Sequence, residues 1–237
     1  MMKIALIGYG KMGKMIDLLA SGRNHRVIAR FDSKNLPSPD LLKQCDIAIE
    51  FTNPEAAPEN IKLCLESGIP VVTGSTGWYQ HLDAIRSLVN KTQGRLLYAS
   101  NFSIGVNIFF KLNEWAAKYL NNYDYHCEIL EKHHTEKKDS PSGTAITTAE
   151  MIIAGNKKWK SWTNHATNDE NIIPIISERI PGETGTHIVR FFNDIDELQI
   201  SHKAFNRKGF AEGALIAAEW LINQPSGVYQ MSDVLKF

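Results

Sequence analysis

Lys3-Ile4-Ala5-Leu6-Ile7-Gly8-Tyr9-Gly10-Lys11-Met12-Gly13-Lys14-Met15-Ile16-Asp17-Leu18-Leu19 decides the fold. A short apolar run of strand type enters a glycine turn, and Met15, Ile16, Leu18 and Leu19 follow at helical spacing. Strand, G-x-G-x-x-G and helix in that order are the context a dinucleotide-binding turn requires. Gly8 permits the tight turn, Gly10 lets the backbone approach a pyrophosphate, and Gly13 lets helix and strand pack closely. A second strand-like run, Arg26 to Phe31, ends in Asp32. That acid lies at about the 20-residue spacing at which a carboxylate accepts hydrogen bonds from ribose hydroxyls. Gly8, Tyr9, Gly10, Lys11, Met12, Gly13 and Asp32 therefore form the first half of a candidate cofactor site.

Outward from this unit the alternation continues. Asp46 to Phe51, Pro70 to Thr73 and Arg95 to Ala99 read as strands. Pro54 to Ser67 and Tyr79 to Val89 read as helices, the first stopped by Gly68. Strands alternating with helices imply α/β architecture with a Rossmann-like, doubly wound parallel sheet. Ligands bind such sheets at the carboxyl ends of the strands. The loops that leave those ends are Thr52-Asn53, Gly74-Ser75-Thr76 and Ala99-Ser100-Asn101-Phe102, and they join the cofactor candidates. Gly, Ser and Asn also dominate ordinary turns, so these loops carry less weight than the glycine motif.

After a helix capped by Ser103 and running to about Leu120, the chain changes style. Tyr125 to Leu130 is strand-like, with Cys127 and Ile129 on one face. A helix follows from Thr144 to about Ala154, and residues 156–171 read as an irregular polar loop. Ile172 to Ile180, Thr186 to Asn193 and Glu197 to His202 are three further strands. The short link Pro181 to Gly185 suggests that its two strands are antiparallel neighbours. Gly213 to Leu221 is apolar at helical spacing and returns to the first domain. The expected division is 1–103 plus 207–237 for dinucleotide binding, and 104–206 for an α+β substrate-binding and oligomerisation domain with a mixed open sheet.

Near the middle of the sequence lies the densest polar chemistry, Glu131-Lys132-His133-His134-Thr135-Glu136-Lys137-Lys138-Asp139-Ser140-Pro141-Ser142-Gly143-Thr144-Ala145. Adjacent histidines can act as acid, base or donor near neutral pH. Ser142 or Thr144 can cap the helix that follows, whose free N–H groups suit a carboxylate or phosphate. Cations beside an anion-binding turn point to a small, negatively charged substrate. His25, His81, His165, His187 and His202 stand alone and read as surface or core histidines, and no cluster has the spacing of a metal site.

His133-His134-x-x-Lys137-x-Asp139-x-Pro141-Ser142-Gly143-Thr144-Ala145 resembles the signature of the 4-hydroxy-tetrahydrodipicolinate reductase (dihydrodipicolinate reductase) family. Gly74-Ser75-Thr76-Gly77 looks like that family's Gly-Thr-Thr-Gly loop, with Ser75 replacing a threonine. Ser100 to Asn107 is similar to its Asn-Phe-Ser-x-Gly-Val-Asn segment. The family's glycine turn is often one residue longer. The resemblance spans essentially the whole chain. It implies an NADH- or NADPH-dependent oxidoreductase of lysine (diaminopimelate) biosynthesis that reduces a cyclic dicarboxylate with loss of water. By the same resemblance His133 and Lys137 are catalytic, His133 as proton donor and acceptor and Lys137 as second proton donor. His134, Lys137, Ser142, Gly143 and Thr144 hold substrate carboxylates, and the chain forms a homotetramer through its open sheet.

Composition bounds the alternatives. Lys+Arg and Asp+Glu both total 26, so the net charge is zero, which argues against a nucleic-acid partner. Hydrophobic residues make up 43% of 237, enough for a real core. No apolar stretch reaches the roughly 18 residues of a membrane span. Cys45, Cys64 and Cys127 form no Cys-x-x-Cys pair, and free thiols with no signal peptide fit the cytoplasm. Two other readings compete. A non-catalytic dinucleotide sensor explains the first half equally well, but not the histidines, lysine and anion-binding turn. An aldehyde or amino-acid dehydrogenase of related architecture is the other; its acylating form needs a nucleophilic cysteine, and Cys127 has no evident base partner.

Overall fold

The elements of the first half follow from the periodicities in the sequence. In the structure, a computed structural model describing residues 1–237, they are β1 (Lys3–Ile7), α1 (Lys11–Gly22), β2 (Arg26–Phe31), α2 (Pro39–Leu42), β3 (Ile47–Glu50) and α3 (Ala57–Glu66). Next come β4 (Val71–Thr73), α4 (Leu82–Thr92) and β5 (Arg95–Tyr98). The helix expected from Tyr79 opens as a single 3₁₀ turn, Tyr79–His81, before α4 begins. The second half is built from α5 (Ile104–Tyr119), β6 (His126–His133), α6 (Gly143–Gly155), β7 (Ser161–Thr163), β8 (Ile172–Arg179), β9 (Thr186–Phe192) and β10 (Glu197–Lys203). The chain closes with α7 (Lys208–Leu221), β11 (Gly227–Tyr229) and α8 (Met231–Leu235). It divides into two compact units, Met1–Ile104 with Arg207–Phe237, and Gly105–Asn206.

The sheet of the first unit has the order β11-β5-β4-β3-β1-β2, with parallel pairing throughout. Strands buried on both faces read as continuous apolar runs, and that is what Ile4 to Ile7 and Ile47 to Ile49 show. Ile4, Leu6, Ile49 and Val72 pack on one face against Ile16 of α1 and Leu215 of α7. Ala5, Ile7, Ala48 and Val71 pack on the other against Ile61 of α3 and Val89 of α4. The chain moves from β1 to β2 on one side and then crosses back to β3 on the other. The strand order therefore reverses beside β1, and the loops at the carboxyl ends of β1 and β3 flank the crevice where such sheets bind ligands.

In the second unit the order is β10-β9-β6-β8-β7. Cys127, Ile129, Ile175, Val189 and Phe191 face inward against Val106 and Phe109 of α5 and Ala149 and Ile152 of α6. Three expectations are corrected here. First, β6 does not stop at Leu130 but runs to His133, with every second residue buried. Paired on both sides, it keeps its ladder even where Glu131 and His133 occupy inward positions. Second, β8 and β9 are not neighbours across Pro181 to Gly185. β6 lies between them, parallel to β8 and antiparallel to β9. Third, the stretch 156–171 contains the short strand β7, which pairs with the start of β8. The other expectation of antiparallel pairing is met by β9 and β10.

Candidate functional site

In the first unit the glycine turn is formed as its residues demand. Gly8 adopts φ +96, a region open to glycine at little cost. Its N–H donates to the Phe31 carbonyl at 3.0 Å, and a Cβ there would lie 2.0 Å from the Phe51 carbonyl oxygen. A Cβ on Gly13 would lie 2.4 Å from the Gly8 carbonyl oxygen, so close helix–strand packing does depend on that glycine. Around Gly10 nothing lies within 4 Å of such a Cβ, so the backbone is open to a ligand. Gly8, Tyr9, Gly10, Asp32, Thr52 and Asn53 line a cavity of about 530 Å³ together with Leu36 and Asn60. Lys11, Met12 and Gly13 form the first turn of α1 beside it.

Asp32 Oδ1 accepts from the backbone N–H groups of Lys34 at 2.8 Å and Asn35 at 2.9 Å. These bonds hold its carboxyl below the usual range. The loops Gly74-Ser75-Thr76 and Ala99-Ser100-Asn101-Phe102 leave the carboxyl ends of β4 and β5, further along the same sheet edge. Buried Glu50 accepts from Ser75 Oγ at 3.0 Å and from the Thr52 N–H at 2.9 Å, which ties two of these loops together. Arg30 is held in a two-pronged pair with Asp17 at 2.7 and 2.9 Å.

In the second unit the site is built around a carboxylate that the sequence reading passed over. Glu131 is fully buried. The β6 ladder places it opposite Ser177 of β8 and His187 of β9, and places His133 opposite Arg179. Both Glu131 oxygens lie 3.1 Å from the Ser142 N–H, and Ser177 Oγ donates at 2.8 Å. Nδ1 of His133 and Nε2 of His187 each stand 3.6 Å from Oε2, and the Arg179 guanidinium is 3.5 Å from Oε1. The His133 and His187 rings meet edge to face at 5.0 Å.

Ser142 caps α6, its Oγ accepting from the Ala145 N–H at 3.2 Å. The same Oγ lies 3.2 Å from His187 Nε2. Its polar atoms are thus engaged within the protein, and the open start of α6 is at Gly143, where nothing lies within 4 Å of an added Cβ. Lys137 Nζ pairs with both oxygens of Asp139 at 2.7 and 2.8 Å. Arg179 straps this loop to β8, donating to the Asp139 carbonyl at 2.6 Å and the Lys137 carbonyl at 3.3 Å. Nδ1 of His134 is buried without a hydrogen-bond partner.

Glu131, His133 and His187 offer three donor atoms within 4.8 Å of one another, a grouping that the sequence spacing did not disclose. Ser142, Ser177 and Arg179 already engage the carboxylate, which disfavours a cation there. The electrostatics are those of a buried anion among cations and donors. Burial pushes the Glu131 carboxyl up, but contacts with His187, Ser142, Ser177 and His133 outweigh it and hold the group at about 2. Burial, with His187, Lys137 and Arg179 nearby, lowers His133 to about 4 despite the raising effect of Glu131.

Both shifts have the same sign for stability. Between about pH 6.5 and 4 the unfolded chain gains a proton at His133 that the folded chain does not, and between about 4.5 and 2 the same holds at Glu131. Acid should therefore destabilise the second unit progressively below about pH 6.5. The urea midpoint should fall steadily from neutral pH to pH 4, and a flat midpoint would contradict this electrostatic picture.

Comparison with known proteins identifies the family. The family model for the N-terminus of dihydrodipicolinate reductase matches residues 2–102, and that for its C-terminus matches residues 105–235. The chain belongs to the dihydrodipicolinate reductase family. It is accordingly an oxidoreductase that uses NADH or NADPH. It is 43% identical over 236 residues to the 4-hydroxy-tetrahydrodipicolinate reductase of Christiangramia forsetii, covering 99% of this chain and 98% of the relative. The enzyme of the same name from Alkaliphilus metalliredigens is 36% identical, with 99% of each chain covered. A dipicolinate-bound dihydrodipicolinate reductase from Paenisporosarcina superposes with a TM-score of 0.77 at 26% identity, over 97% of each chain. An amine dehydrogenase from Mycobacterium smegmatis shares the fold alone, with a TM-score of 0.67 at 10% identity over 96% of this chain and 94% of the other.

Within this family frame, His187 is the clearest correction to the sequence reading. It is buried in the cluster with Glu131 and Ser142 rather than isolated. His202 is lowered mainly by burial and then by His187. The sequence places Ser177 and Arg179 on a strand without marking them as partners of Glu131. Alternation along β9 already puts His187 on the face of Val189 and Phe191. What the sequence lacks is the register that sets β9 beside β6.

Proposed function

We propose that the protein reduces 4-hydroxy-tetrahydrodipicolinate to tetrahydrodipicolinate in lysine biosynthesis, consuming NADH or NADPH and a proton and releasing water and the oxidised cofactor. The observation that carries this reading is the union, over the end of β6, the loop after it and the start of α6, of His133, His134, Lys137 and the open turn at Gly143. A ring with two carboxylates needs cations and aligned N–H donors to offset its desolvation. Lys137 supplies a cation and His134 a ring N–H; Gly143 and Thr144, at the start of α6, supply the turn. Ser142 contributes by capping and shaping that turn.

The bound nicotinamide supplies the hydride. The chain's own residues hold the ring, keep its carboxylates paired and provide the proton. His133 is the proton donor by its match to the family signature, and Lys137 the second. The first unit holds the cofactor, with the pyrophosphate at Gly8 to Gly13 and the adenosine ribose at Asp32. Gly74 to Thr76 and Ala99 to Phe102 serve the nicotinamide half. The second unit holds the substrate.

The finer reading extends to assembly and location. Leu130 pairs with Ile188 on one side and Ile176 on the other, all three on the sheet face turned away from α5 and α6. Burial of this apolar row between copies favours a homotetramer, and three free cysteines suit the cytoplasm. No helix is long and apolar enough to cross a membrane.

Cofactor choice tests the first unit. Asp32 repels a 2′-phosphate, while Lys34 stands close enough in sequence to offset it, and Arg30 is committed to Asp17. Steady-state kinetics should give kcat/KM values for NADH and NADPH within roughly ten- to a hundredfold, about 1.4–2.8 kcal/mol. A thousandfold preference would show the Asp32 loop to be misread.

A further inference from the structure

Glu131 is the least expected group in the second unit. A carboxylate with no exposed surface is costly to bury unless it is paired and hydrogen-bonded. Here the pairing reaches three separate elements. Glu131 lies on the same strand as the proton donor His133, two residues before it. It accepts the N–H of Ser142, the residue that caps the anion-binding start of α6. It also accepts from Ser177 on β8 and stands 3.6 Å from His187 on β9.

We propose that Glu131 is a positioning residue that fixes the proton donor and the substrate-carboxylate turn in one common geometry. The proposal rests on the reading of His133 as the proton donor. Nδ1 of His133 is buried and has no hydrogen-bond partner. Glu131 Oε2 faces it at 3.6 Å. That is beyond a hydrogen bond, and a small ring shift on substrate binding brings it into the 2.7–3.2 Å range. The proton on the ring then sits on Nδ1, leaving Nε2 as the nitrogen that exchanges a proton with the substrate. Gly185 makes room on that side, since a Cβ there would lie 3.4 Å from Nε2 and Cδ2.

A neutral acceptor would satisfy Ser142 and Ser177 equally well. What the charge adds is its effect on the imidazole. The groups facing His133 are Glu131 on its own strand, His187 on β9, Lys137 on the following loop and Arg179 on β8. Glu131 is the one anion among them, and it favours the protonated ring that the others oppose. It therefore keeps the donor form within reach in a site crowded with cations for the sake of the dianionic substrate.

The test uses Glu131→Gln, which keeps shape and acceptor and removes the charge. Its kcat/KM for the dicarboxylate should fall by roughly a hundredfold, within the range of a lost general acid, while KM for NADH changes less than about twofold. In substrate-free protein the His133 imidazole, followed by NMR, should titrate at lower pH than in the wild type. The alkaline limb of the kcat–pH profile should move the same way. A Glu131→Gln protein with the wild-type titration and pH profile would reduce Glu131 to a purely structural role and overturn the proposal. Should Glu131→Gln fail to fold, the wild type still decides. Its His133 ring nitrogen shifts must report the proton on Nδ1, and a proton on Nε2 refutes the geometry. His133→Asn with wild-type kcat would instead remove the donor reading, leaving the NMR result to stand or fall alone.

Discussion

Lys137→Ala should lower kcat by roughly 10²–10⁴, the usual range for a positioned general acid. The expectation comes from how firmly the side chain is placed. The Lys137 N–H closes a turn on the His134 carbonyl at 3.1 Å, and its own carbonyl is held by Arg179. Its ammonium group is already paired with Asp139, an exposed partner that a dianionic substrate can displace at little cost. Truncation removes both a charge that holds the substrate and a proton that can be transferred. His134→Ala, by contrast, should mainly raise KM, because a carboxylate ligand serves ground state and transition state alike. Steady-state kinetics separate the two. Wild-type kcat with raised KM in Lys137→Ala would make its role electrostatic and leave His133 or water as the proton source.

The second large effect is in the first unit. Gly8→Ala forces a Cβ into left-handed backbone, at roughly 1–2 kcal/mol. It also drives that Cβ against the Phe51 carbonyl, 2.0 Å away. Because the Phe51 N–H is itself bonded to Ile7 at 2.8 Å, the strand end cannot simply retreat. Overpacking of this kind costs roughly another 1–3 kcal/mol. The stability loss should be about 2–5 kcal/mol by urea unfolding, and NADH affinity should drop at least about tenfold, or 1.4 kcal/mol, in a fluorescence titration. An unchanged affinity would show that the pyrophosphate does not lie on this turn.

The first sheet was readable because buried parallel strands leave continuous apolar runs, and Gly8, Gly13 and Gly68 punctuate them. The second was readable only as separate strands. Nothing local distinguishes a β8–β9 hairpin from the observed insertion of β6 between them, since pairing is a choice among distant partners. That choice decides the site: with β6 in the middle, Glu131 meets Ser177 and His187, and His133 meets Arg179. The same cause hid the end of β6. Glu131 and His133 are polar residues at inward positions, so the apolar alternation fails at Leu130 although the ladder continues. His133, His134, Lys137 and the Ser142 cap were legible because they lie within one short stretch of chain. Their supporting partners come from β8 and β9, more than forty residues on.

Turnover tests the whole account most directly. Purified protein should oxidise NADH and NADPH only when enzymatically generated 4-hydroxy-tetrahydrodipicolinate is supplied. Pyridine-2,6-dicarboxylate should compete with that substrate, because it presents the same two carboxylates to His134, Lys137 and the start of α6. Tight cofactor binding with no substrate-dependent oxidation would contradict the account and favour a protein that senses the nucleotide without reducing anything.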